Sequence, residues 1–428
     1  MKTSFADLKK TVYQGASKKF NIIDDIILDR LNYELSIIEL LNLSYYFLNC
    51  KAIVDICNDQ GWLRSPGRST ATSSLVNYCL DITKLNPIEH GLYFERFINS
   101  DHFAGIDIDI DIPTGNRSFF INLLVAKLPE CEIRQYVVPP SKYDEDKVRY
   151  SHNGKEFVKH PCGILVTDFN QFVDLETLEI ENTKFCIFND YKIGLRLISP
   201  FKYDVIENDY LAILQQISFR LDDSDQLYNI PINDKATFKL ITSGQTDNIF
   251  SFSDIELKPL LKAFQPSTIL EMAIINALYG PWMVNKIPKM IHNKMFGYDQ
   301  PFSSDTRVDQ ILSETFGLLV FQESFLDIAI HIAGFKATEA EYYLRILCGK
   351  KNLVEINNFK QLFLTGCESF SELTTKETKQ LANMLLKDGP FTFQKSHALS
   401  YTLIGYWGAY YKTHFTKEFN YFSLHSKK

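Results

Sequence analysis

Apolar residues recur at three- and four-residue spacing through residues 25–60, a pattern that predicts two helices joined near Asn42, Leu43 and Ser44. The character of the chain then changes. Residues 62–74 hold one proline, one glycine, Arg64, Arg68 and a crowd of serine and threonine hydroxyls ahead of the apolar pair Leu75 and Val76. This is the mark of a helix N-terminus, whose unpaired N–H groups and nearby hydroxyls suit a phosphate or, more plainly, an ordinary N-cap. Residues 118–258 are richer in β-type runs, at 131–138, 163–166 and 183–188. From about residue 270 helical spacing returns, and the stretches 311–335 and 379–389 each close at or beside a glycine, as helix C-caps do. No internal repeat is visible. The pattern predicts an α+β protein with a mixed first domain to about residue 265 and a mainly helical second one.

One stretch departs from every helical spacing. From Gly105 to Pro113, isoleucine and aspartate alternate strictly, which is the period of a strand and sets Asp107, Asp109 and Asp111 on one face with Ile106, Ile108, Ile110 and Ile112 on the other. Like charges so close raise one another's pKa unless a cation sits among them. A divalent metal is the natural cation: Mg²⁺ takes one or two carboxylates plus substrate phosphates, the arrangement of two-metal phosphoryl transfer. The competing reading is an edge strand whose solvated acidic face discourages aggregation.

Composition narrows the class without naming a function. The 428 residues carry 45 Lys+Arg against 52 Asp+Glu, a formal charge of -7, and 45% hydrophobic residues, which excludes collagenous and disordered chains. The absence of a long apolar run or an apolar N-terminal core predicts a cytoplasmic protein without a membrane partner. The eight cysteines (Cys50, Cys57, Cys79, Cys131, Cys162, Cys186, Cys348, Cys367) form no C-x-x-C pair and read as buried thiols rather than a disulfide framework. His160, His292, His331 and His414 show no pairing of the kind that marks a metal cluster. Charge is uneven: residues 1–270 carry a net -9 and residues 271–428 a net +2. An acidic, cation-binding first part and a more basic second part fit that division.

Several motifs, taken in order, resemble the C-family bacterial replicative polymerases, the DNA polymerase III alpha subunits. The loop from Ser65 through Gly67, Arg68, Thr70 and Ser74 to Tyr78 is similar to the family's G-R-G-S-x-x-G-S loop. It is followed by Leu92-Tyr93-Phe94-Glu95-Arg96-Phe97-Ile98-Asn99 and by the aspartate strand, which resembles P-D-x-D-x-D. Further on, Phe201-Lys202-Tyr203-Asp204 resembles V-K-F-D, and His160 with the strand after it resembles H-A-G-G-V-V. In the second half, Thr315 to Glu323, Leu344 to Lys351 and Phe393 to Ala398 with Tyr401 are similar to T-Y-G-x-x-x-Y-Q-E, L-R-R-A-M-G-K-K and F-N-K-S-H-x-x-x-Y.

The resemblance implies a nucleotidyltransferase-like palm with a mixed sheet over residues 25–265, after an extension at 1–24, and a helical fingers domain over 266–428. It implies Asp109, Asp111 and Asp204 as catalytic ligands of two Mg²⁺ ions, with Gly67, Arg68, Thr70, Ser74, Lys202, Arg345, Lys350, Lys395 and His397 binding the nucleoside triphosphate. The basic groups among these suit charge-assisted bonds to phosphate. Primer-template nucleic acid is the implied second substrate.

Departures from the family are also legible. The second and third glycines of the loop are Ser69 and Ser73, the second arginine of L-R-R is Ile346, and R-P-G-P appears as Gly280-Pro281-Trp282-Met283. A short insert at 114–158 stands where the family has its thumb. The family's phosphatase-like domain and its duplex-binding and clamp-binding regions have no counterpart within these residues. Fewer phosphate contacts predict weak, salt-sensitive duplex binding and an accessory protein that supplies grip. Two functions are compatible: a minimal nucleotidyltransferase extending a 3′ end, or a nucleic-acid or nucleotide-binding module that keeps the polymerase fold with little catalysis.

Overall fold

The computed structural model describes residues 5–425 except 104, 142–143, 169–175, 182, 189–200, 223–226, 299–301, 303 and 350–351. The described residues form two compact units, the first comprising residues 1–86 and 103–215, the second 87–102 and 216–428. The boundary read from the sequence at 265 thus falls inside the second unit.

The first unit opens with α1 (Phe5–Lys19), α2 (Asp25–Leu40) and α3 (Ser44–Asp59). Asp24 caps α2 by accepting from the Ile27 amide, and Asn42 turns left-handed at φ 55°, so the predicted joint lies where the side-chain pattern puts it. Within the stretch read as an N-terminal extension, α1 buries Leu8, Val12 and Ala16 and packs on α3 and on α4 (Leu75–Cys79). Gly15 makes this approach possible, because a Cβ there would lie 1.9 Å from the Cys79 carbonyl oxygen.

The sheet that matters for function has four strands. In chain order they are β1 (Asp109–Pro113), β2 (Cys131–Arg134), β6 (Gly163–Asp168) and β9 (Phe201–Asn208), arranged β1-β9-β6-β2. β1 and β9 run parallel while β6 is antiparallel to both its neighbours, so the sheet is mixed. The register sets Asp204 opposite Asp109 on one side and opposite Gly163 on the other. β1 begins at Asp109, later than the alternation suggests. Before it, the Ile108 amide is taken by the Tyr46 hydroxyl at 3.0 Å, and Tyr46 stacks on Tyr203 of β9 at 4.7 Å, so α3 fixes how the chain enters the strand.

A second sheet is built from β3 (Tyr136–Val138), β4 (Tyr150–His152), β5 (Lys155–Lys159), β7 (Thr177–Ile180) and β8 (Thr183–Ile187), in the order β4-β5-β3-β8-β7. The predicted run 131–138 is therefore two strands, broken at Gln135, that join different sheets. The insert at 114–158 supplies α5 (Arg117–Lys127) and strands of both sheets, so it is woven into the unit. The β-type reading of 118–258 ends at Asn208; Asp209–Arg220 and Lys235–Thr242 are amphipathic helices with apolar residues on one stripe.

The second unit is helical. One core among its described residues gathers Phe325, Phe335, Tyr343, Phe359 and Phe363 with the aliphatic faces of the helices Gln322–Ala333, Ala337–Cys348, Leu353–Phe370 and Thr375–Asp388. The stretch 311–335 is not one helix. Thr306–Ser313 stops, Phe316 and Gly317 turn left-handed at φ 54° and 78°, and the next helix starts at Gln322 and closes on Gly334 at φ 73°. The described fold is α+β, a mixed-sheet palm unit and a helical fingers unit. No single helix among the described residues is long and apolar enough to cross a membrane.

Candidate active site

Alternation in the aspartate segment and the pairing of β1 with β9 bring Asp107, Asp109 and Asp204 together. One carboxylate oxygen from each lies within 4.8 Å of the others. Of the three carboxylates named from the sequence, Asp109 and Asp204 thus meet directly, and the group's third member is Asp107. Asp111 shares their face but is fully buried, and its Oδ1 accepts from Arg68 Nη1 at 3.0 Å.

Two cations neutralise part of this charge. Lys202 Nζ donates to Asp204 Oδ2 at 2.8 Å and to Asp107 Oδ1 at 3.2 Å, while Arg68 reaches Asp111 and lies 3.5 Å from Asp109 Oδ2. The compensation is partial. Asp111 Oδ2 and Asp204 Oδ1 are buried with no hydrogen-bond partner among the described residues. Burial, then the neighbouring carboxylates of Asp107 and Asp204, push the Asp109 carboxyl up to about 7. Burial raises Asp107 and Asp111 as well, opposed by Lys202 and Arg68 respectively. Burial works against the Lys202 ammonium, but Asp204 and Asp107 outweigh it and hold its pKa above the ordinary lysine value. Carboxylates crowded in this way, with orphaned buried oxygens, fit a divalent cation with oxygen ligands.

The loop before α4 answers differently from its sequence. Gly67 sits at φ 144°, where a Cβ would meet Thr72 Oγ1 at 2.5 Å, so glycine is required there. Arg68 and Thr70 are half-buried, and Arg68 alone of the loop's predicted binding residues reaches the carboxylates. Of the two readings of this helix N-terminus, a phosphate site or an ordinary N-cap, the described residues form the cap, filled from within. Glu34 of α2, wholly buried, accepts from the Leu75 and Val76 amides at 2.9 and 3.0 Å and from the Ser74 hydroxyl at 2.7 Å, and Arg30 pairs with it. Ser74 is therefore an internal cap, its oxygen also accepting from the Asn77 amide. A buried carboxylate satisfies those amides as a phosphate would. Its sequence signal is faint, an Arg-x-x-x-Glu spacing on α2 indistinguishable from a surface ion pair.

On the other side of Asp204, His160 Nδ1 accepts from the Gly163 amide at 2.8 Å and its ring stacks on Tyr136 at 4.5 Å. Burial lowers the imidazole to about 4, so it is neutral at physiological pH. Gly163 leaves room for Tyr136, whose ring a Cβ would meet at 2.0 Å. Arg117, which sequence reading overlooked, donates to the carbonyls of Cys162, Val205 and Gly163 at 2.9, 2.6 and 3.2 Å and braces β6 against β9 beside Asp204.

The predicted phosphate-binding residues of the second unit lie in a separate charge network. Glu341, wholly buried, accepts from Arg96 Nη1 at 2.9 Å and Asn99 Nδ2 at 2.9 Å, and pairs with the Nε of Arg345. Arg345 is 43% exposed, and its terminal nitrogens have no partner among the described residues. Lys395 is nearly buried and held by both oxygens of Glu314 at 2.8 and 2.9 Å, while its own amide donates to the buried Glu323. The His397 ring stacks on Tyr401 at 4.2 Å. Lys350 lies outside the described residues.

Comparison with known proteins matches this division. Residues 6–139 match the bacterial DNA polymerase III alpha NTPase domain, and residues 210–370 match the bacterial DNA polymerase III alpha subunit finger domain. DNA polymerase III subunit alpha of Bacillus subtilis is 26% identical over 94% of this chain and 41% of its own length. The corresponding proteins of Mycoplasma pneumoniae and Staphylococcus aureus are 27% and 25% identical, over 92% and 94% of this chain and 51% and 43% of their own lengths. The chain spans about half or less of the length of these relatives. With two matched domains in the family's order, the chain belongs to the bacterial DNA polymerase III alpha family.

Proposed function

We propose that this chain is a metal-dependent nucleotidyltransferase that adds nucleotides to the 3′ end of a primer on a nucleic-acid template in the cytoplasm. The observation that carries the reading is the carboxylate group at Asp109 and Asp204, flanked by Asp107 and Asp111 and only partly neutralised by protein cations. Asp109, Asp111 and Asp204 are the residues that would hold two Mg²⁺ ions. When bound, such ions orient the attacking 3′ oxygen and offset charge on the transferring phosphoryl group.

The chain's own residues supply the rest. Gly67 keeps its position in the 65–74 loop free of a side chain, and Arg68 and Thr70 are the loop residues this reading assigns to the triphosphate. Lys202 and Arg68 in the first unit, and Arg345, Lys350, Lys395 and His397 in the second, are the residues this reading assigns to the triphosphate. Arg345 is the best placed, since Glu341 holds one edge of its planar guanidinium and leaves the outer nitrogens to solvent, a geometry suited to a phosphate oxygen pair. An accessory protein raises the duplex affinity of so acidic a first half.

The test is extension of a labelled primer by the purified chain with Mg²⁺ or Mn²⁺, with and without template, alongside Asp109→Asn. Template-directed extension by the wild type and none by the variant is expected. No incorporation under any of these conditions, from a folded chain that binds nucleotide, overturns the catalytic reading.

A further inference from the structure

We infer that Lys202 and Arg68 are built-in counter-ions of the metal carboxylates, released when a triphosphate takes them over, so that divalent ion and nucleotide bind cooperatively. The nucleotide half of this inference rests on the nucleotidyltransferase reading; the counter-ion half rests on geometry alone.

Lys202 bridges Asp204 and Asp107 with its ammonium, and its side chain is only 5% exposed. An ammonium so placed stands within hydrogen-bond distance of two members of the cation-binding group and repels a divalent ion that approaches them. Arg68 does the same for Asp111 and Asp109 at 3.0 and 3.5 Å. Lys202 spans both oxygens of Asp107, but on Asp204 and Asp111 the cation takes one oxygen and leaves the other. Asp204 Oδ2 is held and Asp204 Oδ1 is buried without a partner; Asp111 Oδ1 is held and Asp111 Oδ2 is likewise bare. The second oxygens are thus desolvated in advance, at a cost that a ligand would relieve. Four carboxylates against two cations leave the charge of one divalent ion uncompensated; with both cations withdrawn, they match the charge of two. A triphosphate provides the anionic oxygens to which Arg68 and Lys202 can move, and a metal entering behind them completes the exchange. Because linkage is reciprocal, nucleotide must tighten metal binding by the factor by which metal tightens nucleotide binding.

The experiment is titration of the full chain with Mn²⁺ alone, following the free-ion EPR signal, then with a non-hydrolysable nucleoside triphosphate after correction for the Mn²⁺–nucleotide complex. Wild type is expected to bind Mn²⁺ weakly alone and at least about fivefold more tightly with nucleotide. Lys202→Met is expected to bind Mn²⁺ about fivefold more tightly than wild type without nucleotide, and to gain little when nucleotide is added. Equal or weaker Mn²⁺ binding by Lys202→Met overturns the inference, as does tight nucleotide-independent binding by wild type. If thermal melting shows Lys202→Met to be unfolded, Arg68→Met carries the same expected sign, and an unchanged or weakened Mn²⁺ affinity there has the same force. A chain that extends primers without this gain overturns the counter-ion role alone; one with the gain and no extension overturns the catalytic reading alone.

Discussion

In the first unit, four carboxylates share Arg68 and Lys202; in the second, the buried Glu341 accepts from Arg96, Asn99 and Arg345. Both networks place charge away from water, where an unmatched charge is costly. Their imbalances have opposite sign. The first leaves carboxylate oxygens bare and pushes Asp109 toward neutrality, whereas the second leaves guanidinium nitrogens bare on Arg345. A surplus of buried negative charge calls for a metal, and a surplus of positive charge at a half-exposed edge calls for phosphate. Networks that close on themselves, such as Glu34 with Arg30 and the α4 amides, do neither and serve the fold.

The largest test of this contrast lies within the first network. Asp109→Asn and Asp111→Asn should each lower nucleotidyl transfer by about a thousandfold, the scale of several kcal/mol of metal-borne stabilisation. Asp107→Asn, which weakens the second anchor of Lys202 and removes the one half-exposed carboxylate of the group, should lower it by less than about tenfold. The reverse order in steady-state extension rates would make Asp107, not Asp111, the working ligand.

A closed network should behave otherwise. Glu34→Gln leaves the Arg30 guanidinium and at least one α4 amide poorly matched and should cost about 2 kcal/mol in denaturant unfolding, with nucleotide affinity unchanged once folded. A drop in nucleotide affinity without loss of stability would mean that the α4 N-terminus reaches the ligand after all.

Arg345→Met should raise the KM for nucleotide by about tenfold, one charge-assisted bond to phosphate, with little change in melting temperature. Unchanged KM together with a lowered melting temperature would reduce Arg345 to a structural partner of Glu341.

The last test is a pH dependence, a gradual slope rather than a step. Asp109 titrates near 7 in the metal-free fold, above the ordinary carboxylate value it regains on unfolding. Between about pH 4 and 7 the folded chain therefore holds the extra proton, and its stability falls as pH rises through that window, by at most about 1.4 kcal/mol per pH unit from this group. Asp109→Asn should flatten that slope in metal-free urea unfolding measured from pH 4 to 8. Identical slopes for wild type and variant would place the unmatched charge elsewhere.

How much of this was legible in the chain depended on how local each signal was. The helices Asp25–Leu40 and Ser44–Asp59 follow from apolar spacing, and the carboxylate face follows from a period of two, because both are set by neighbours a few residues apart. The break at 314–321 was hidden, since apolar residues that read as a helical stripe instead line a turn at Phe316 and Gly317. So was the fate of the 65–74 loop. A run of hydroxyls before an apolar pair signals unpaired amides, but nothing in that run says whether a phosphate or Glu34 meets them.

The sequence by itself determined that three aspartates share a face, that a lysine and a fourth aspartate stand two residues apart farther along the chain, and that the motifs run in the family's order. Only the tertiary structure decided which of them meet. Asp107 and Lys202, 95 residues apart, become partners because β9 lies parallel to β1 with Asp204 opposite Asp109. Tyr46 of α3 fixes the approach to that strand. The physical reason is one of range: side-chain periodicity is written in steps of two to four residues, whereas the field that orients a carboxylate comes from whatever the fold brings within a few ångströms of it, and no local pattern encodes that.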